Sequence, residues 1–296
     1  MKALLLANHA AAGGRAARLL PQVLDFLHAK LPGLECVRAT NAAEVRTLAA
    51  EAARAGYDRV LAAGGDGTAH AAANGLCGTE TALGVIPLGH GNDLCRSLGI
   101  PLDPIAAADF LLRATAAPMD VVRVGEQIYA GVAGLGFDAT TNRRANAWPG
   151  WPSGHLRYLV AGLWTLLTFE PVRVELRTDT ENYSGEVMWV AVANTAFYGG
   201  GLRIAPRAVC DDGWLDICIV ERMSRRALFD LYPALHRGRH LSACCVRTFR
   251  ATQVEVRAPA GAELFGDGEL LGRAPLRLRV EAKALRVLRG PQSPWG

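Results

Sequence analysis

Over the first 118 residues, short apolar runs alternate with stretches of helical spacing, and two of those runs end in clusters of glycine. No other feature of the chain limits its fold so tightly. Strands buried on both faces of a parallel sheet read as near-continuous apolar runs, and Ala3–Ala7, Glu35–Thr40, Arg59–Ala63 and Ala82–Leu88 read that way. Between them, Arg15–Lys30 places Leu19, Val23, Phe26 and Leu27 at helical spacing, and Asn41–Glu44 is a capping box opening a helix to about Ala55. A third helix is expected from about Ala69, and Asp103-Pro104 caps a fourth that runs to Arg113. This βαβα series predicts a doubly wound, parallel α/β domain over residues 1–118.

From Met119 the pattern changes to short β-rich runs: Val121–Val124, Val172–Arg177, Val187–Ala193, Leu215–Val220, Gln253–Arg257, Leu276–Val280 and Leu285–Leu288. They predict an antiparallel β-sandwich-like domain over residues 119–288, with helical inserts at Leu156–Thr168 and Arg225–Leu235. The tail, residues 289–296, is free to fray or to pack back on the first domain.

Composition removes several classes of function. The chain has 296 residues, 50% hydrophobic and 20% charged, which is enough for a sizeable core and excludes a disordered protein. A net charge of +4 permits an anionic surface or a phosphate as partner but is too weak to argue for nucleic acid. The seven cysteines show no CxxC pair and no zinc-finger spacing, so reduced thiols are expected. Met1–Ala7 lacks the charged region and the length of a signal peptide. The longest apolar stretch, Leu156–Phe169, carries Arg157 and is shorter than the about 20 residues a bilayer span needs. A cytoplasmic protein that touches a membrane from one side is the expectation.

Several motifs carry chemistry. Gly64-Gly65-Asp66-Gly67-Thr68 lies between a strand and a helix, where backbone N–H groups and a helix N-terminus can face a phosphate. Asp66 and Thr68 can bond ribose, phosphate or a metal-bound water. This is no Walker A loop, because GxxxxGK[ST] is absent and Lys2, Lys30 and Lys283, the only lysines, lie elsewhere in the chain. Pro87-Leu88-Gly89-His90-Gly91-Asn92-Asp93 closes the fourth strand. Ligands of open α/β sheets bind at the carboxyl ends of strands, so the two glycine clusters are expected to line one crevice, with Asn92-Asp93 also serving as a helix N-cap. Gly134–Ala139 matches GxGxxA, but no acid follows through Phe169 to hold a ribose, so a dinucleotide fingerprint is rejected.

Phe265-Gly266-Asp267-Gly268-Glu269 places two carboxylates two residues apart, either as a plain Asp-Gly hairpin turn or as a site for orienting and deprotonating an attacking hydroxyl. Gly199–Pro206 pairs a triple glycine with Arg203, and Cys210–Asp216 has the oxygen-ligand density that suits magnesium. Arg143, Arg144 and Arg157 accompany Trp148, Trp151 and Trp164, and residues 222–250 hold seven arginines and one acid, Asp230. Arginine and tryptophan beside apolar helices suit the headgroup region of an anionic membrane, although an ordinary core with a solvated face gives the same composition.

Taken in this order, the motifs resemble the diacylglycerol kinase catalytic-domain family, most closely its soluble bacterial lipid kinases, which are related to sphingosine and ceramide kinases. Gly64–Thr68 resembles the family's GGDGT, Pro87–Asp93 its PLGTGND, Gly134–Ala139 its GFGFDA, residues 199–216 its glycine loop and DDG turn, and Asp267–Glu269 its DGE. The resemblance spans nearly the whole chain. It implies a lipid kinase with ATP as phosphoryl donor and Mg2+ as cofactor, and assigns the β-rich domain to the lipid substrate. It implies nucleotide contacts at Asn8, Gly13, Thr40, Gly64, Gly65, Asp66, Gly67, Thr68, Gly89, His90, Asn92 and Asp93. Glu269 becomes the general base, helped by Asp267, and Asp212 a structural magnesium ligand with the carbonyls of Val209 and Trp214. A membrane lipid, an anionic bilayer met peripherally and no nucleic acid complete the expected partners; a homodimer is left open. Two departures stand out: Asn8–Gly13 lacks the family's proline and serine, and His90 replaces the threonine of PLGT. NAD kinase, which also uses a GGDG loop, and a non-catalytic nucleotide sensor at the membrane are the rival readings.

Overall fold

The computed structural model describes residues 2–8, 15–147 and 155–290. Two compact units emerge, one made of Met1–Val121 with Ala282–Gly296 and the other of Val122–Glu281. The chain thus returns to the first unit at Ala282, ahead of the tail in which the sequence allows such a return.

In the first unit the strands are β1 (Ala3–Asn8), β2 (Glu35–Ala39), β3 (Arg59–Gly64) and β4 (Ala82–Pro87), joined by α1 (Arg15–Lys30), α2 (Ala42–Arg54) and α3 (Asp66–Leu76). After β4 come α4 (Asp93–Ser97), α5 (Pro104–Arg113) and β5 (Thr115–Val124), which runs into the second unit. The order β2–β1–β3–β4 is parallel throughout, and Val287 of a final strand pairs with Leu83 on the far side of β4. Helices α1 and α5 pack together on one face, α2 and α3 on the other, as a doubly wound sheet requires. The strand order reverses between β1 and β3, which makes their carboxyl ends the topological switch point.

The Asn41 and Asp103 N-caps form where the sequence places them, although the Glu44 carboxylate accepts from the Thr40 N–H and not from that of Asn41, so the capping box is not closed. Asn41 accepts from the Glu44 N–H at 2.9 Å, and Asp103 accepts from the Ala106 N–H at 2.8 Å with Pro104 at the first helical position. One boundary differs from the sequence reading: α3 starts at Asp66 rather than near Ala69, with Gly65 as its N-cap. The last three residues of the GGDGT cluster are therefore its first turn, in which the Thr68 N–H donates to the Gly65 carbonyl at 3.0 Å.

The second unit is antiparallel. Its strands are β6 (Gln127–Tyr129), β7 (Val132–Gly136), β8 (Val172–Thr178), β9 (Tyr183–Ala193), β10 (Leu215–Glu221), β11 (Val246–Ala251), β12 (Gln253–Arg257), β13 (Glu263–Gly266), β14 (Glu269–Arg273) and β15 (Leu276–Arg289), which crosses back to the first unit. Its helices are α6 (Phe137–Ala147), α7 (His155–Thr168) and α8 (Arg225–His236). β9 organises the unit, pairing with β7, β8 and β10. Val187, Val190 and Val192 point from β9 into one apolar cluster with Val174, Ile217 and Leu264. Met188, Trp189 and Ala191 point into a second cluster, which Leu228, Leu231 and Leu235 of α8 cover. Helix α6 is absent from the sequence reading: the GxGxxA glycines mask a strand that ends at Gly136 and turns directly into it.

A methyl group at Gly75 of α3 would lie 2.4 Å from the Arg46 carbonyl oxygen of α2 and 2.9 Å from Ala49 Cβ. Alanine gains about 1 kcal/mol of helix propensity over glycine, whereas overpacking costs about 1–3 kcal/mol. The obstructing oxygen is backbone held in a helix, so the clash wins. Gly75→Ala is expected to lower unfolding free energy by about 1 kcal/mol in a denaturant titration; a stabilised variant would show that the two helices part freely.

Candidate functional site

The two glycine clusters do meet. A Cβ added to Gly89 would lie 2.5 Å from the Gly65 Cα, so the two backbones approach as only glycine permits. The Leu88 and Gly89 N–H groups donate to the Gly64 carbonyl at 2.8 and 3.2 Å, which extends the β3–β4 pairing past the strand ends. At the switch point the Asn8 amide donates to Thr68 Oγ at 3.2 Å, joining the end of β1 to the first turn of α3.

Asp66 has a defined structural task. Its two carboxylate oxygens accept the N–H groups of Asn92 and Asp93 at 2.9 and 2.8 Å, so it caps α4 from a distance of 26 residues along the chain. The cap that the sequence assigns to Asn92-Asp93 is therefore supplied by Asp66. Asn92 instead adopts a left-handed φ of 52° and donates its amide to the Gly89 carbonyl at 3.0 Å. Arg96, which the sequence reading missed, donates to the Gly91 carbonyl at 3.2 Å. Its signal is an arginine three residues after an acid that opens a helix. Hard oxygen donors sit together here, since a Cβ on Gly91 would be 2.5 Å from Asp66 Oδ2 and 3.6 Å from Asp93 Oδ2. Such a donor set suits magnesium.

The other expected nucleotide contacts are distributed around the same strand ends. His90 is half-buried in the β4 turn. Thr40 is exposed just past β2, where its N–H and hydroxyl both donate to Glu44 Oε2 at 2.7 Å. Gly13 lies outside the described residues, as do Trp148 and Trp151.

In the second unit, Asp267 and Gly268 have φ of 52° and 87° between the paired residues Gly266 and Glu269. This is a two-residue hairpin with both central residues left-handed, for which Asp-Gly is a favoured sequence. The Asp267 carboxylate accepts the N–H groups of Ala130 and Gly131, each at 2.9 Å, and its own N–H donates to the Val132 carbonyl. Buried Asn194 holds the same turn from the other side, donating its amide to the Ala130 carbonyl at 2.8 Å and its N–H to that of Gly131. Asn194 also escaped the sequence reading; an Asn-Thr pair closing the apolar run of β9 is the available signal. Glu269 stands exposed at the start of β14. The two carboxylates of the hairpin thus serve different ends: Asp267 is bound to backbone, and Glu269 faces solvent.

Asp212 pairs with the Arg250 guanidinium and accepts the Trp214 N–H at 3.1 Å, while Arg250 also reaches Asp216 at 3.6 Å and lies over the Trp214 ring. Burial raises the Asp216 carboxyl to about 6, with Arg250 opposing that rise. Among the described residues no three His, Cys, Asp or Glu side chains gather as a metal site. A carboxylate already paired with arginine does not fit the magnesium ion expected with Asp212, Val209 and Trp214. The cysteines form no disulfide, and Cys244 is exposed rather than part of the core.

The comparisons place the chain. Residues 2–124 match the diacylglycerol kinase catalytic domain, and residues 131–289 match the YegS C-terminal NAD kinase beta sandwich-like domain. A diacylglycerol kinase of Mycobacterium tuberculosis (strain ATCC 25618 / H37Rv) is 37% identical over 256 residues, covering 84% of this chain and 82% of its own. The chain belongs to the diacylglycerol kinase family of lipid kinases. A Pseudomonas aeruginosa protein named "Probable lipid kinase YegS-like" shares 32% identity over 285 residues, 90% of this kinase and 93% of that protein. A crystal structure of a diacylglycerol kinase from Bacillus anthracis str. Sterne superposes with a TM-score of 0.76 at 22% identity over 99% of this kinase and 98% of that chain, a likeness of fold alone. No helix among the kinase's described residues is long and apolar enough to cross a membrane.

The GxGxxA aspartate is buried. Asp138, in the first turn of α6, accepts the Tyr198 hydroxyl, and Gly134 must lack a side chain because Asp138 Oδ2 fills that space. Burial raises its carboxyl from an ordinary value of 3.8 to about 7, against the opposing hydrogen bonds from Tyr198 and the local backbone. Between these two values the folded protein keeps a proton that the unfolded chain has released. Stability from this group is present at low pH and lost as pH rises through about 4 to 7. Asp138→Asn should remove that loss, so melting temperatures of variant and parent, compared along the series, move in the variant's favour with rising pH. A constant difference would overturn the assignment.

Proposed function

We propose that this kinase transfers the γ-phosphoryl group of ATP to a hydroxyl of diacylglycerol or a closely related membrane lipid. The observation that carries the reading is the joined pair of glycine turns at the switch point of the parallel sheet, in a chain whose mycobacterial relative is named a diacylglycerol kinase. The first turn of α3 and the backbone of Gly64, Gly65, Gly67 and Gly89 receive the triphosphate, as a helix N-terminus favours negative charge. Asn8, Thr68, Thr40, His90 and Asn92 bound that cradle, and Gly13 is assigned to it by its position in the sequence. Magnesium, when bound, spreads the triphosphate charge, and Asp66 and Asp93 are the residues that would hold it.

Glu269 is the base. Its carboxylate takes the proton of the lipid hydroxyl while that oxygen forms a bond to the γ-phosphorus and the bond to the β-phosphate bridging oxygen breaks, releasing ADP. Asp267 acts as a positioning residue by fixing the hairpin on the Ala130-Gly131 backbone. The substrate resides in a bilayer, so contact with an anionic membrane surface is peripheral and nucleic acid has no part in the reaction. A homodimer is compatible with this scheme.

Glu269→Gln is expected to lose more than about a hundredfold in turnover with ATP affinity retained. Near-normal turnover would discard Glu269 as the base. The acceptor is read by incubating radiolabelled ATP separately with a total lipid extract, diacylglycerol vesicles and NAD. The name of the matched second-unit family makes NAD the specific alternative. Label in a lipid supports the proposal; label in NADP, with none in lipid, overturns it.

A further inference from the structure

Helix α7 is built inside out. Its Ala161 and Thr165 are fully buried, whereas Leu156, Leu159, Leu163 and Leu167 are 45, 57, 49 and 68% exposed. The leucines recur at spacings of three and four, which gathers them on one side of the helix, and Trp164, 50% exposed, flanks them. A helix of a water-bathed domain turns its leucines inward and its polar residues out. Its neighbour α8 follows that rule with buried Leu228, Leu231 and Leu235, yet also presents Phe229 and Tyr232, 62 and 52% exposed and three residues apart. Scattered exposed leucines need no explanation, but five large apolar side chains on one helix and two on the adjacent one mark an interaction site.

The charge around this apolar surface selects the partner. Arg225 and Arg226 open α8, where the helix dipole already places positive charge, and no acid stands in that turn. Both are exposed, as are Arg237 and Arg239 beyond its end. Arg144 lies over the Trp164 ring at 5.2 Å. Leucines and aromatic rings rimmed by arginine match the acyl and headgroup layers of an anionic leaflet, where the rings sit at the boundary and long basic side chains reach the phosphates. We propose that the outward faces of α7 and α8 form a docking surface for the anionic lipid bilayer. The choice of a bilayer as occupant rests on the lipid-kinase reading; the surface itself rests on these exposures.

The test is co-sedimentation of the full chain, without ATP, with phosphatidylcholine vesicles and with vesicles that also contain phosphatidylglycerol. The parent should bind the anionic vesicles, and Leu159→Ser/Leu163→Ser/Leu167→Ser should bind them at least about tenfold more weakly. Phosphorylation of a short-chain diacylglycerol presented without vesicles should stay within about threefold in that variant. Quenching of Trp164 by acyl-brominated anionic vesicles, taken as the difference between the parent and Trp164→Phe, reads the contact without altering the leucines. The proposal is overturned if the parent does not sediment with anionic vesicles, if the triple variant binds as the parent does, or if Trp164 is not quenched. It is also overturned if the triple variant turns a dimer into a monomer in light scattering while vesicle binding persists, because the face then joins two copies. Vesicle binding needs no turnover, so a failure here is separate from a failure of the proposed reaction.

Discussion

A single carboxylate holds the glycine turns of the first unit in their working arrangement. Asp66 belongs to the first turn of α3, yet both its oxygens are spent on the N–H groups that open α4. Charge-assisted bonds of this kind are about twice as strong as neutral ones. They fix two loops, following separate strands, at a separation so small that a side chain on Gly89 would run into the Gly65 backbone. The arrangement also poses an electrostatic problem: a triphosphate brought to the α3 N-terminus meets a helix dipole that attracts it and a carboxylate that repels it. In the proposed reaction a divalent cation would resolve that conflict, in a way a lysine-bearing phosphate loop does not need, and the sequence places no lysine beside the turn.

The other acidic motifs follow one pattern, in which aspartate is spent on architecture. Asp267 binds the backbone of Ala130 and Gly131, Asp138 binds Tyr198 in the core, and Asp212 binds Arg250. Each lies close to backbone, where a short side chain reaches a neighbouring donor without much loss of freedom. Glu269 differs in length and in exposure. Of the acids in the 265–269 hairpin, it alone is exposed, on a turn whose geometry is fixed independently of it, and on that feature the proposed base role rests.

The parallel sheet was legible because apolar runs, capping residues and glycine punctuation all agree over the first unit, and the Asp103-Pro104 and Asn41–Glu44 starts occur where local chemistry places them. Within the hairpin, Asp-Gly predicted the turn and the family pattern singled out the same two acids, and the geometry accommodates both readings in one structure. What stayed hidden depends on partners remote in sequence. Nothing local to Asp66 tells that it caps a helix 26 residues on, nor that Arg250 reaches back to Asp212 across the β10–β11 ladder. Helix α6 was hidden for a local reason: Gly134 and Gly136 lower helix propensity up to the residue before it begins, and its polar sequence offers no apolar stripe.

The inverted helix α7 is possible because its inward polar groups are satisfied before it meets anything outside. Thr165 donates to the Ala161 carbonyl at 2.7 Å within the helix, and its oxygen accepts from Arg144 at 3.1 Å. The same guanidinium donates to Thr168 Oγ at 2.7 Å near the end of α7, where a positive charge is favoured by the helix dipole. Small residues let α6 and α7 approach closely, and Leu166 adds an inward contact to the second apolar cluster. With polar groups paired inside and the β framework already supplied with two apolar clusters of its own, the outward leucines are not required by the core. Their exposure therefore leaves the folded core intact and leaves apolar surface of the kind the proposed bilayer contact needs.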